Sequence, residues 1–597
     1  MNFRDLFKNK WTCAALCIFG IVTSGLGQST ITIDVDKATT IIPNELFGVL
    51  MERLGKQWDG GVWVGTNSSV KNTNGMRDDV IEGFKECGVG AIEWPGGCAA
   101  NDYDWSGYKN PSNDVGTDRF MQLCGLVGCE PIIAGQGKSS SATSNQEWVT
   151  YINNNPAHPE WTLKYFKVGN EVWGCGGNQT VTTYISNYTA NYNKLKDPVG
   201  GKKLAIIAGS DQEGNWSWLP TMLNSIGSTI DAVEYHDYIY YPDAISSTNP
   251  TTANYWTIMK DVLTGDIHSH LYNNVFPAMN SYDPEKKIKI DLDEWGDWLK
   301  DTGDGWMQQV TLMDALSAGS QLNMFVQNAD RIGVACLAQG VNVIHSLLNI
   351  NPSKVMQKTT TFYVFKLLKP HHTNNAKSAP VTTSKIETVS GGGTNLPAVN
   401  AAASVDASGF VNISLVNVDL TTARKVTATL NSGKASYAVK SADVITGSAF
   451  TSFNDFGAAE QVNIKTLDAS NYGISGKTLT TTLPAMSVVM FRLMPPDTIS
   501  VGVQPGSLPN GRAEALSIQP GPRGTLLITS SMSRIAPTTI GVYRADGRTL
   551  VERISIDLQK GNRTVALKSV HRGDGVYIVR ITNAEITISK TIIITGK

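Results

Sequence analysis

The sequence predicts an α/β protein built on a (β/α)8 TIM barrel, with an all-β sandwich domain and a C-terminal immunoglobulin-like β domain. Three observations carry this. At 597 residues the chain is too long for one hydrophobic core and calls for several domains. Between about residues 46 and 374, short apolar runs alternate with longer helical segments, the strand–helix rhythm of a parallel barrel. From about 375 to 495 the pattern changes to period-two alternation with Ser, Gly and Asn between the runs.

The elements follow in order. Residues 1–27 have the layout of a secretory signal peptide: a basic start (MNFRDLFKNK), a short apolar run (WTCAALCIFGIVTSGLG) and cleavage near Gly27. The segment 28–45 contains STITIDVDKATTII, an alternating strand expected to join the β-sandwich. Within the barrel region 46–374, AIIAGS (205–210), DAVEYH (231–236) and KIKIDLDEW (287–295) read as buried strands ending in polar residues. MQQVTLMDALSAGSQLNMF (307–325) and RIGVACLAQGVNVIHSLL (331–348) read as helical. In the sandwich, 375–495, the runs VNISLVNVDL (411–420), KVTATL (425–430) and SVVMFRL (487–493) read as strands. A Pro/Gly/Ser-rich linker, 496–512, leads to a β-rich unit, 513–597, with hairpin signals at RADGR and RGDG.

Composition excludes some functions. Fifty basic residues against 52 acidic leave a net charge of −2, which builds no field for nucleic acid or an anionic membrane. Cys13 and Cys17 fall in the leader, leaving Cys87, Cys98, Cys124, Cys129, Cys175 and Cys336 in an exported chain where disulfides are permitted and several pairings are open. No two cysteines stand at zinc-ligand spacing with histidines nearby, so no metal site is expected.

The chemistry points to two glutamates. YFKVGNE ends at Glu171 and KIKIDLDEW carries Glu294; each follows an apolar strand and is trailed by a tryptophan, Trp173 and Trp295. Barrel enzymes place chemistry at the carboxyl ends of their strands. Two carboxylates there divide acid and base work when their surroundings separate their proton affinities. A spacing of about 5–5.5 Å makes a retaining glycosidase pair, and about 6.5–9.5 Å an inverting one. EYHDYIYY (234–241) puts His236 and Tyr238 on one side of an extended segment. In WPGGCAANDYDW (94–105), Gly96 and Gly97 let the backbone approach a ligand closely, or simply make a tight turn.

These segments resemble glycoside hydrolase family 51, best known for α-L-arabinofuranosidases. FGVLMERLGKQWDGGVWVG (47–65), WPGGC, GNEVWGCGGN (169–178), HDY (236–238), DEWGDW (293–298), NMFVQNADRIGVACLAQGVNVI (323–344) and TTFYVFKLLKPHH (360–372) occur in the family's order, the resemblance covering roughly residues 30–495. The resemblance implies Glu171 as general acid/base and Glu294 as nucleophile. It implies Asn170 on the sugar 2-hydroxyl, Glu52 on hydroxyls of the non-reducing sugar, and His236 and Tyr238 beside the nucleophile. Gln339 and Cys98 would line the sugar pocket and Trp173 the leaving-group side, with no cofactor. The implied substrate is a plant cell-wall polysaccharide such as arabinoxylan or arabinan. The alternatives are an endo-β-1,4-glucanase on the same barrel or a non-catalytic glycan-binding surface protein; a homo-oligomer is possible. One departure stands out: the family usually has Arg before its WPGG segment, where this chain has Glu93, a like charge expected to raise its carboxylate neighbours. VYRADGRTLVE (542–552), GVYIVRI (575–581) and the ending KTIIITGK resemble the sorting domain of type IX secretion, which implies the secretion machinery as a partner and a secreted or cell-surface location.

Overall fold

Eight short parallel strands close into a barrel in the computed structural model of the chain: β1 (Gly48–Leu50), β2 (Ala91–Trp94), β3 (Glu130–Gly135), β4 (Tyr165–Val168), β5 (Ala205–Ala208), β6 (Ala232–Ser246), β7 (Lys289–Lys300) and β8 (Ile332–Leu337). β8 pairs with β1 to complete the ring, Cys336 opposite Gly48. The structure describes residues 28–107, 115–210, 216–265, 269–303 and 305–495, together with seven strands between 516 and 594. The expected signal peptide, the linker 496–512 and the two C-terminal hairpin turns lie outside the described residues.

The barrel interior changes character along its axis. Alternate residues of a strand face the same side. Ala91, Ile132, Tyr165, Ile207, Ala232 and Val334 form an apolar cluster at the amino-terminal end. Two residues further along the same strands stand Glu93, Lys167 and Glu234, buried like the apolar layer below them. β6 continues the alternation through His236 and Tyr238, both buried. The barrel is thus sealed by hydrocarbon at one end and by paired charge at the other, where barrel sites lie.

Helices surround the barrel, among them Thr117–Val127, Ala142–Asn153, Val181–Leu195, Leu312–Gln327 and Thr360–Leu368. Between β2 and two of these helices Trp94 stacks on Phe120 at 5.1 Å and meets Trp148 edge-on at 6.0 Å. Among the described residues, no helix is long and apolar enough to cross a membrane.

One expected element is different. The stretch 331–348, expected to be helical, supplies β8, then a buried loop, and then enters the short strand Leu348–Ile350. A strand covered on both faces is apolar throughout, so its side chains satisfy a helical spacing as readily as a strand's. The helix expected at 307–325 forms as Leu312–Gln327.

The sandwich packs against the helix Leu312–Gln327, where Gly319 leaves room for Val488 and the Asn323 amide donates to Asn400 Oδ1 at 2.7 Å. Its seven-stranded sheet is centred on Val411–Asn417 and Ser487–Met494. Its five-stranded sheet takes in Gln28–Asp34, which runs parallel to Arg424–Asn431 and antiparallel to Val381–Lys385. Further along, the strands 516–594 form sheets of three and four.

Candidate active site

The loop after β4 is shaped by its glycines. The chain turns at Gly169 (φ 88°) and delivers Asn170 and then Glu171, itself at φ 42°. A non-glycine residue enters that left-handed region at a cost of ~1–3 kcal/mol, so its surroundings must hold it there. They do: the Glu171 N–H donates to Glu234 Oε1 at 3.2 Å, and its carbonyl accepts from the N–H groups of Gly174 (2.8 Å) and Gly176 (3.0 Å). A side chain at Gly176 would strike the Asn170 carbonyl at 2.3 Å. The glycine-rich turn is what lets a carboxylate be aimed at this point.

Glu294 comes from β7, in register with His236 of β6. The Tyr238 hydroxyl donates to Glu294 Oε2 at 2.7 Å. His236 Nδ1 lies 3.2 Å from Glu171 Oε1 and 3.7 Å from Glu294 Oε1. An oxygen of Glu171, an oxygen of Glu294 and a ring nitrogen of His236 all fall within 4.8 Å of one another. The two glutamates singled out from the sequence therefore share one pocket, with His236 touching both.

Glu52, just past β1, forms another wall. Its Oε1 accepts from Gln339 Nε2, and Gln339 Oε1 in turn accepts from Gln57 Nε2. Gln57 also donates to the Glu52 carbonyl at 3.1 Å. Gly97 (φ 54°) is required here, since a Cβ would lie 1.7 Å from Glu52 Oε2. Cys98 forms a disulfide with Cys175, 77 residues away, which ties the loop after β2 to the loop after β4. Cys175 Sγ sits 3.4 Å from Glu171 Oε2. Trp173 is half-buried on the same turn. An outer cavity of about 810 Å³ beside Trp63, Arg119 and Trp161 contains none of these residues.

Below the pocket lies a buried charge cluster that sequence reasoning missed. Lys167 Nζ is 2.8 Å from Glu93 Oε1 and 3.3 Å from Glu234 Oε1, and it also donates to Asp293. It donates to Asn170 Oδ1 as well, at 2.7 Å. His236 Nε2 faces Glu234 Oε1 at 3.1 Å and Asp293 Oδ1 at 3.3 Å. The signals were present: a lysine in the middle of an apolar strand, and acids at alternate positions upstream of His236 and Glu294.

Proton affinities follow from this layout. Burial opposes charge on Lys167, but Asp293, Glu93 and Glu234 outweigh it and hold the ammonium well above its usual value. His236 is likewise raised well above the ordinary histidine value, its burial overcome by Glu294, Asp293 and Glu234. Asp293 and Glu234 stay below the usual carboxylate range, because Lys167 and His236 more than offset their burial. Glu93 moves the other way: burial, helped by Asp293 and Asp291, raises it despite Lys167. In the pocket, burial pushes Glu294 up to about 8, with His236 pulling it down and Glu171 and Glu52 pushing further. Glu52 is pushed up to about 7, mainly by burial. Glu93 is not among these leading causes. It lies against Lys167 rather than against Glu294, which is raised chiefly by its own burial.

Comparison with known proteins agrees with this geometry. Residues 293–487 match the α-L-arabinofuranosidase C-terminal domain family. An intracellular exo-α-L-arabinofuranosidase of Bacteroides ovatus is 33% identical over 504 residues, 78% of this chain and 96% of that protein. The GH51 arabinofuranosidase of Xanthomonas axonopodis pv. citri superposes with a TM-score of 0.72 at 28% identity, over 78% of this chain and all of the other. The chain belongs to glycoside hydrolase family 51, the α-L-arabinofuranosidase family, and is a glycosidase. CelM2, a bifunctional glucanase-xylanase from a metagenome library, shares the fold at a TM-score of 0.52 and 13% identity, over 78% of this chain and 99% of its own. That likeness carries no information on substrate.

Proposed function

We propose that this glycosidase is a retaining, exo-acting α-L-arabinofuranosidase that removes terminal arabinofuranosyl groups from plant arabinoxylan or arabinan. The single observation that carries the mechanism is that one carboxylate oxygen of Glu171 and one of Glu294 lie within 4.8 Å of each other. Retaining pairs stand about 5–5.5 Å apart, whereas an inverting pair needs room for a water between sugar and base. Glu294 attacks the anomeric carbon and forms a glycosyl-enzyme while Glu171 protonates the departing oxygen. Glu171, now ionised, then takes a proton from the water that releases the sugar. The step needs one proton on the pair. That proton belongs on Glu171 and the charge on Glu294 when the sugar is attacked. Tyr238 and His236 favour the charge on Glu294. Asn170, Glu52 and Gln339 bind the sugar hydroxyls, Cys98 lines the pocket beside them, and Trp173 meets the leaving group. The leader at residues 1–27 and the β unit at 513–597 support export by type IX secretion and a secreted or cell-surface location.

The test is a screen of the full chain on nitrophenyl α-L-arabinofuranoside, arabinoxylan and carboxymethylcellulose, followed by Glu171→Ala. Wild type should release arabinose and leave the cellulose derivative intact. With an activated substrate, Glu171→Ala should be rescued by azide to give the α-configured glycosyl azide. A β-configured azide would remove the double displacement, and turnover of carboxymethylcellulose alone would transfer the enzyme to the endo-glucanases.

A further inference from the structure

We propose that Lys167 is the positioning residue of the site, setting the side-chain orientation of Asn170 and anchoring the chain beside both catalytic glutamates. Its ammonium contacts Asn170, which immediately precedes Glu171, and Asp293, which immediately precedes Glu294. It also meets Glu234, whose Oε1 accepts the Glu171 backbone N–H. One buried cation thus joins β2, β4, β6 and β7 beneath the pocket floor.

Chemistry fixes the consequence for Asn170. An ammonium can only donate, so the amide must present its oxygen to Lys167 and turn its Nδ2 away. The Asn170 backbone is held independently, its carbonyl accepting from Asn101 Nδ2 at 2.8 Å and its N–H donating to Asn101 Oδ1 at 3.3 Å. Nδ2 is buried and finds no partner among the described residues. A buried donor without an acceptor is costly unless a ligand satisfies it. Lys167 therefore leaves Asn170 pre-set as a hydrogen-bond donor to a sugar hydroxyl. Without the cation, the amide is free to flip and offer an acceptor instead. This inference rests on the proposed glycoside site but does not depend on which sugar fills it.

A double-mutant cycle tests it, using whichever nitrophenyl glycoside the wild-type chain cleaves, so that a wrong sugar assignment leaves the cycle intact. Lys167→Met should lower kcat/KM by about 10²–10³-fold, mostly in kcat. In an Asn170→Ala background the same change should cost only about 10-fold, because the residue it orients is gone. A lysine that merely supports the fold would cost the same factor in both backgrounds, and that result overturns the proposal. Where Lys167→Met fails to fold, Lys167→Met/Glu93→Gln replaces both members of that buried contact with uncharged groups and is run through the same cycle with the same two outcomes.

Discussion

Two buried histidines in this molecule are pushed in opposite directions by their surroundings. His236, at the barrel mouth, is 4% exposed and faces Glu171, Glu234, Asp293 and Glu294; Glu294, Asp293 and Glu234 overcome its burial and hold it well above the ordinary histidine value. His371, at the seam between barrel and sandwich, is fully buried between two hydroxyls, Ser404 Oγ at 2.9 Å and Ser414 Oγ at 2.8 Å. Burial alone pushes it down to about 3. His345 behaves like His371: its Nδ1 accepts the Asp297 N–H at 3.0 Å, Nε2 meets Thr361 Oγ1 at 2.7 Å, and it too is pushed down to about 3. Equal burial gives opposite protonation because the partners differ. Hydroxyls satisfy a neutral ring, whereas carboxylates stabilise a cation. The contrast separates a histidine that serves the fold from one that serves the site.

Removing the cation breaks this contrast most severely. His236→Gln leaves Glu234 and Asp293 with Lys167 as their remaining close cation and detaches both catalytic glutamates from their common neighbour. Stripping one partner from a buried charge cluster costs about 3–5 kcal/mol. We expect kcat/KM to fall by about 10³-fold and the melting temperature to drop at neutral pH, read by steady-state kinetics and thermal unfolding. The pH dependence has a definite sign. A histidine raised in the folded state contributes stability that is fully present below its unfolded value, near 6.5, and is lost as pH rises through the folded value. The difference in melting temperature between wild type and variant should therefore shrink on the alkaline side. A constant difference would mean that His236 is uncharged in the folded protein.

Tyr238→Phe sharpens the same comparison on the nucleophile side with a smaller effect. The phenol is a hydrogen-bond donor to Glu294 and favours its ionised form, opposing the burial that lifts Glu294 to about 8. Losing a hydrogen bond to a charged group removes ~1.5–3 kcal/mol. The acidic limb of the kcat/KM profile should move to higher pH, with kcat/KM at pH 6 falling about 10- to 100-fold. An unshifted limb would mean that the titration seen in kinetics does not belong to Glu294.

How much of this was legible in the sequence depends on how local each feature is. Glu171, Glu294, His236 and Tyr238 each sit in a contiguous motif at the end of a strand, so pattern and resemblance reach them. The ionic floor is not local. Lys167 and Glu93 meet at 2.8 Å although 74 positions separate them, and neither stretch alone reveals the other. Read singly, Glu93 is a disturbing negative charge; beside Lys167 it is one member of a paired cluster. The disulfide between Cys98 and Cys175 was hidden for the same reason, since spacing in the chain leaves many pairings open. β8 was obscured differently: its apolar run has no polar face from which to read a period.

The smallest expected effect lies at the seam. His371 stays neutral in the folded state down to about pH 3, whereas in the unfolded chain it takes up a proton below about 6.5. Its depressed value contributes stability that is present above 6.5 and is lost as pH falls toward 3, at about 1.4 kcal/mol per pH unit. A glutamine keeps a donor and an acceptor for Ser404 and Ser414 but does not titrate. His371→Gln should therefore cost about 1–2 kcal/mol at pH 7 through imperfect packing, yet lose stability more slowly in acid. Denaturant unfolding between pH 6 and 4 should show a slope reduced by about 1.4 kcal/mol per unit, leaving the shares of His345 and His372, which are also pushed down to about 3. Turnover at pH 7 should match wild type, because the seam carries no group that touches the sugar. A slope equal to wild type would show that His371 does not stay neutral in the folded protein, and the division between the seam and the barrel mouth would then fail.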